Sequence, residues 1–170
     1  NFKQYLKDES GKMRMSKPFS IIEGFYTQHG TQIIKDLFGD GKKFDFPKPP
    51  ALIENLLSIF HEKNDYLVLD SFAGSGSTAH AIINMNERDN GKRKFILIEM
   101  EDYAEETTAE RVKKVLDKGI KCTDSFEFLE LGSRMFNEDG YINENQSLDD
   151  IRSYVYYSET RTSTGYSENP

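Results

Sequence analysis

The sequence predicts an α/β fold with a largely parallel sheet, and three observations carry that expectation. Two short apolar runs, residues 66–69 and 95–98, each end on a carboxylate, Asp70 and Glu99. Segments with apolar residues at helical spacing precede, separate and follow these runs. A glycine-rich turn, residues 71–77, joins the first run to the helix behind it. The order helix, strand, glycine turn, helix, strand, helix, strand is a βαβαβ unit preceded by an extra helix, and such crossovers are right-handed.

Each element has its own residue-level reason. Residues 1–17 are polar and charged (Lys3, Lys7, Asp8, Glu9, Lys12, Arg14, Lys17) without periodicity, which reads as an extended arm or loop. Ile33, Ile34, Leu37 and Phe38 then recur at helical spacing from Gly30, with Thr31 as the expected N-cap and Gly39-Asp40-Gly41 as the stop. After Pro49-Pro50, the residues Leu52, Ile53, Leu56, Leu57 and Phe60 form one face of a second helix, whose first turn tolerates proline. Residues 66–69 suit a strand buried on both faces.

Behind the glycine turn, Ala79, Ile82, Ile83 and Met85 supply the apolar positions of a helix over about 78–86, and Asn90-Gly91 breaks it. Residues 95–98 make the second strand. The next helix has its charges sorted by end: Glu101, Asp102, Glu105, Glu106 and Glu110 come first, and Arg111, Lys113, Lys114 and Lys118 last. That order complements the helix dipole, Glu110 and Lys114 lie one turn apart, and Gly119 ends the helix. Residues 126–131 alternate apolar and acidic, which predicts a strand with one wet face at a sheet edge. Beyond Gly132 the chain turns acidic and polar. It recovers an aromatic cluster at Tyr154, Tyr156 and Tyr157, readable as an interface or as packing, and ends in a Ser/Thr-rich tail expected to be disordered.

Composition excludes several classes. The 170 residues contain 22 Lys+Arg against 29 Asp+Glu, a net charge of −7, and one cysteine. No apolar run reaches the ~18 residues of a membrane-spanning helix, so no membrane partner is expected. There is no signal pattern, and Cys122 has no cysteine to pair with, so the expected location is cytoplasmic. The acidic balance argues against a surface given over entirely to nucleic acid, though a local patch stays open. Lys92-Arg93-Lys94 either touches phosphate or is a solvated connection. His29, His61 and His80 are scattered and show no metal-ligand spacing, so no metal is expected, and His80 reads as a surface or packing residue.

The chemistry concentrates at residues 70–79. In open parallel sheets, ligands sit in the crevice beyond the carboxyl ends of the strands. Gly74 and Gly76 let the backbone turn sharply and approach a ligand, and Glu99 at the end of the next strand is placed to accept hydrogen bonds from ribose hydroxyls. Turn and acid together predict a pocket for a nucleoside-containing cofactor. The spacing Gly74-x-Gly76-x-x-Ala79 also scans as a dinucleotide turn. Against that, Ser71, Phe72 and Ala73 separate it from the strand, and Asp70 at the mouth suits a cationic amino or sulfonium group better than a pyrophosphate. No Gly-Lys-Ser/Thr closes the turn as in a phosphate-binding loop. A tight turn with no ligand remains the plain alternative.

These residues resemble a known family. Asp70-Ser-Phe-Ala-Gly-Ser-Gly-Ser-Thr78 is similar to motif I of the amino-methyltransferases of DNA, usually Asp-Pro-Phe-x-Gly-Ser-Gly-Thr-Thr, with Ser71 and Ser77 as mild departures. Phe46-Pro47-Lys48-Pro49 with Leu52 resembles motif X, and Ile98-Glu99 followed by Tyr103 and Arg111 resembles motif II. The order X, I, II is that of the permuted β group. Gly30-Thr31, Leu37-Phe38, residues 44–49 and residues 154–160 further resemble the modification subunits of type III restriction–modification systems.

The resemblance implies a partial Rossmann-like, three-layer methyltransferase fold that uses S-adenosylmethionine. Asp70, Phe72, Gly74 and Gly76 would hold the methionine portion, Ser77 and Thr78 would stand at the helix start, and Glu99 would grip the ribose. Phe46 and Lys48 would close the pocket, although Lys48 also reads as an exposed lysine in a Pro-rich turn. Residues 1–29 are then an arm or the remnant of an upstream region, 30–132 the cofactor half of the domain, and 133–170 a polar extension. The family's Asp/Asn-Pro-Pro-aromatic catalytic loop has no counterpart, because the one Pro-Pro pair, Pro49-Pro50, follows a lysine and precedes Ala51. In the β-group order that loop falls before Asn1, so no catalytic residue is expected in this chain, which is expected to be inactive alone. The implied activity is DNA adenine-N6 methylation, with cytosine-N4 methylation and a NAD-binding oxidoreductase as alternatives. The implied partners are double-stranded DNA, a restriction subunit and a second modification subunit.

Overall fold

The computed structural model describes residues 21–60, 64–119 and 125–163. The chain divides into two compact units, Asn1–Phe128 and Leu129–Pro170. The first unit holds helix α1 (Thr27–Phe38), α2 (Pro50–Phe60), strand β1 (Leu67–Asp70), α3 (Ser77–Asp89), strand β2 (Lys94–Leu97), a π-helical stretch (Ala104–Ala109) and α4 (Glu110–Lys118). The strands pair in parallel, with Leu67 opposite Lys94 and Asp70 opposite Leu97. Beyond the ladder, the Ile98 N–H donates to the Asp70 carbonyl (2.9 Å) and the Ala73 N–H to the Ile98 carbonyl (3.0 Å). Those two bonds carry the pairing from the sheet into the glycine turn and fix the turn against the end of β2.

Ala79 and Ile83 of α3 and Val112 and Val115 of α4 form the core, with Leu37, Phe95, Leu97, Leu116 and Phe126 packed around them. Phe95 and Leu97 are the alternate, half-buried positions of β2. The opposite side is bare: Leu67 is 58%, Leu69 62% and Ile96 48% exposed. The expected burial of both strands on two faces is therefore not met. Among the described residues the sheet has two parallel strands with α3 packed against β2, compatible with part of the expected α/β fold.

Other expectations are corrected in detail. Helix α1 begins at Thr27, not near Gly30. Its N-cap position is Tyr26, and Thr31 lies inside the helix with its hydroxyl bonded to the Thr27 carbonyl (3.3 Å). Gly39 closes it in the left-handed conformation, φ 77°, as a glycine readily does. The charge-sorted helix does form, but Ala104–Ala109 is wound as a π-helix before α4 begins. Residues 126–131 are not a strand, because no described residue offers them a ladder of backbone partners, and Leu131 is fully exposed.

Of Lys92-Arg93-Lys94, the two lysines are exposed and the arginine is not. Arg93 is buried, binds Asp89 through two nitrogens (2.8 and 2.7 Å) and lies over the Tyr66 ring.

The second unit contains a turn that joins Phe136 and Ile142 by an antiparallel bridge, then α5 (Leu148–Thr160). This helix was not foreseen. Ser147 caps it, accepting the Asp150 N–H (3.1 Å), and Tyr154 packs edge-on against Phe136 with ring centroids 5.3 Å apart. The arm at 1–17 lies outside the described residues, as does the tail from 164 onward.

Candidate functional site

The turn between β1 and α3 is built as a closed ring. The Asp70 carboxylate accepts the Phe72 N–H on one oxygen (3.1 Å) and the Thr78 hydroxyl on the other (2.6 Å), tying the end of the strand to the start of the helix. Gly74 and Gly76 both take positive φ, 54° and 76°. At Gly76 a Cβ would stand 3.2 Å from the Thr108 carbonyl oxygen, so the turn presses directly on the π-helical stretch. The Thr108 hydroxyl in turn donates to the Gly74 carbonyl.

Glu99 stands behind this ring. One carboxylate oxygen accepts the Gly74 N–H (2.7 Å), and the other accepts the N–H groups of Met100 (2.9 Å) and Glu101 (3.1 Å). Burial pushes its pKa up, but the N–H groups of Glu101, Gly74 and Met100 and the Tyr103 hydroxyl outweigh this, holding the carboxyl below its usual range. Together these N–H groups and the Tyr103 hydroxyl engage both carboxylate oxygens and hold Glu99 against the turn.

The loop that carries Phe46 and Lys48 faces the turn across a cleft of about 350 Å³. Its lining includes Phe46, Lys48, Asp70, Phe72, Gly74, Ser77 and Thr78, which are seven of the nine residues singled out from sequence. Gly76 and Glu99 support the lining from behind. Phe46 and Phe72 stand at the mouth, 76% and 88% exposed, and Phe46 holds an unusual positive φ of 52°. The Lys48 side chain is exposed, while its carbonyl accepts the Ser77 hydroxyl (2.8 Å) and joins loop to turn.

Sequence reasoning passed over several contributors. Phe44, Asp45, Ile53, Ala73 and Ser75 also line the cleft. The Phe44 ring comes within 3.5 Å of where a Gly74 Cβ would lie and packs edge-on against Tyr103. Beneath the turn lies Arg111, fully buried, whose guanidinium reaches Ser75, Ser77 and His80. Burial pulls its pKa down to about 10. His80 is pulled down to about 3 by its own burial and by the charges of Arg111 and Lys118, so it is neutral at neutral pH and acts as a packing residue and acceptor. Among the described residues no group of acids, His or Cys is arranged to hold a metal, and no helix is long and apolar enough to cross a membrane.

Strands ending on two carboxylates, a glycine turn and a facing aromatic loop define a class of α/β proteins built around a ligand cleft. This chain belongs to the DNA methylase family, whose model (N6_N4_Mtase) matches residues 3–110. It is similar to the Mod subunit of the type III restriction–modification enzyme StyLTI of Salmonella typhimurium strain LT2, with 51% identity over 70 residues, 41% of this chain and 10% of that protein. It is 36% identical over 131 residues to the EcoPI Mod subunit of Escherichia phage P1, covering 68% of this chain and 20% of that one. The type II methyltransferase M.KpnI of Klebsiella pneumoniae shares 47% over 97 residues, 56% of this chain and 23% of the relative. The resemblance read from the motifs is thus borne out. The chain spans between a tenth and a quarter of the length of these relatives.

Proposed function

We propose that the chain is the cofactor-holding part of a site-specific DNA adenine-N6 methyltransferase, the modification subunit of a type III restriction–modification system. The observation that carries this reading is the ring of residues 70–78, locked to Glu99 and to the 44–48 loop around one cleft. The relatives that are Mod subunits support the system, and the family supports methyl transfer to DNA.

S-adenosylmethionine fits the residues present. The cleft volume lies in the range of small-ligand pockets, and its lining sets two carboxylates, Asp45 and Asp70, against one lysine, which suits a cationic ligand. Aromatic rings at the mouth add faces for a cation or a flat base. When bound, this cofactor supplies an electrophilic methyl group on a sulfonium. Asp70 and Phe72 would orient its charged end, Gly74 and Gly76 would let the backbone approach, and Ser77 and Thr78 would shape the helix start. Glu99 would grip the ribose by exchanging a present donor such as the Tyr103 hydroxyl for a ribose hydroxyl, while Phe46 and Lys48 would exclude water from the other side.

In this reading residues 30–132 are the cofactor half of a three-layer, Rossmann-like domain whose other half supplies the catalytic loop and most of the DNA surface. Residues 1–29 connect to that half, and 133–170 are an extension. Duplex DNA, a restriction subunit and a second modification subunit are the partners, in the cytoplasm. Titration of the intact protein with S-adenosylmethionine and with NAD tests the reading. Saturable binding of the first only is expected, weakened at least about tenfold by Asp70→Ala through the lost ring and charge. Saturable binding of NAD alone, or of neither, would overturn it.

A further inference from the structure

Arg111 is the largest of the fully buried side chains, and no carboxylate lies within ion-pair distance of it among the described residues. A buried cation without an anion is unfavourable, and an apolar residue of similar volume is the usual structural solution at such a position. Its bonds show what the charge does instead. One guanidinium nitrogen donates to the Ser75 carbonyl (3.1 Å), the Ser75 hydroxyl oxygen (2.7 Å) and the Ser77 hydroxyl oxygen (2.9 Å). The other two nitrogens face Nδ1 of His80 at 3.4 and 3.3 Å. With His80 neutral, that nitrogen serves as an acceptor.

These donations fix the direction of a hydrogen-bond chain. Arginine has only donors, so the Ser77 oxygen must accept from it and has its single proton left to give. That proton goes to the Lys48 carbonyl, 2.8 Å away. Ser77 and Lys48 both line the cleft, one from the glycine turn and the other from the loop that faces it, and this bond joins the two. The chain from Arg111 through Ser77 to Lys48 therefore sets the separation of the glycine turn from the loop facing it. A charged donor at its base strengthens each later bond.

We propose that Arg111 is a positioning residue for the cofactor: it holds the two walls of the cleft at the width the cofactor needs, without touching it. The proposal rests on the S-adenosylmethionine reading above. The experiment compares the intact wild-type protein with Arg111→Met, Arg111→Lys and Ser77→Ala. It measures S-adenosylmethionine binding by calorimetry, the KM for cofactor and for DNA, kcat, and thermal melting.

Arg111→Met is expected to weaken cofactor binding and raise its KM about tenfold, as loss of a charged hydrogen bond would. The KM for DNA should stay unchanged, and melting should hold steady or rise because an unpaired buried charge is gone. Arg111→Lys should restore part of the affinity, and Ser77→Ala should reproduce most of the loss. Unchanged cofactor affinity in Arg111→Met, or equal losses toward cofactor and DNA, overturns the proposal. Should Arg111→Met fail to fold, Arg111→Lys decides: several-fold weaker cofactor binding with an unchanged KM for DNA supports the chain, and wild-type affinity overturns it. Failure of the wild type itself to bind S-adenosylmethionine overturns the cofactor reading and this proposal with it, an outcome distinct from binding that the variants leave intact.

Discussion

At Gly30, inside α1, an ideal Cβ would overlap the Pro47 carbonyl oxygen, closer than any real contact. Alanine in a helix interior is ordinarily better than glycine by about 1 kcal/mol. Here the sign reverses. The neighbour is backbone and the next residue is Lys48, so Gly30→Ala must push the loop that forms one wall of the cleft. A loss of about 2 kcal/mol of stability is expected, of the size overpacking causes, together with weaker cofactor binding. Urea unfolding beside a binding titration checks both. A variant as stable as the wild type would show that α1 and the loop separate freely.

His80 gives a prediction about pH. Its folded pKa, about 3, lies below the ordinary histidine value of 6.5, so the unfolded chain takes up the proton first. Its contribution to stability is therefore complete above about pH 6.5 and is lost as the pH falls toward 3, with a slope of up to about 1.4 kcal/mol per pH unit. The Glu99 carboxyl, also depressed, adds its own loss only below its ordinary value near 4.5. Unfolding free energies from pH 7 to 5 isolate His80, and His80→Gln should flatten that range. An identical slope in the variant would assign the acid sensitivity elsewhere.

Among the elements, those with a strong period and a clear stop were legible. Helix α2 shows its apolar face in Leu52, Ile53, Leu56 and Leu57, and β1 and β2 lie within a residue of the apolar runs that predicted them. The turn was legible because glycine at 74 and 76 marks backbone that other residues avoid, and both do take positive φ. Helix α5 was missed although Ser147 and the acids Asp149 and Asp150 form a usable start signal, because three tyrosines drew the reading toward a surface patch. Residues 126–131 failed in the opposite way: alternation says a segment can be a strand, but a strand exists only where a neighbour offers its backbone. The roles of Thr108 and Arg111 were illegible, since a hydroxyl or guanidinium reaching across more than 30 positions leaves no local pattern. Arg111 was visible as one cation of the charge-sorted helix and as part of a resemblance, without a role in the site.

For the first unit as a whole, the bare side of the sheet dominates the physics. Leu67, Leu69 and Ile96 alternate onto one face, joined at the strand end by Ile98, which is 47% exposed. A parallel sheet normally buries both faces, and a contiguous apolar surface of this kind drives association or lowers stability. Among the described residues each strand also has an outer edge with no strand paired to it. The 170-residue chain on its own is therefore expected to self-associate with rising concentration and to bind a hydrophobic dye. Leu69→Lys places a charge on the bare face at a position already 62% exposed, so the fold should persist while association falls sharply. Sedimentation across a concentration series, with circular dichroism as the check on folding, separates the two effects. A monodisperse wild-type monomer with a high melting temperature, or association that Leu69→Lys leaves unchanged, would refute the argument from the open face.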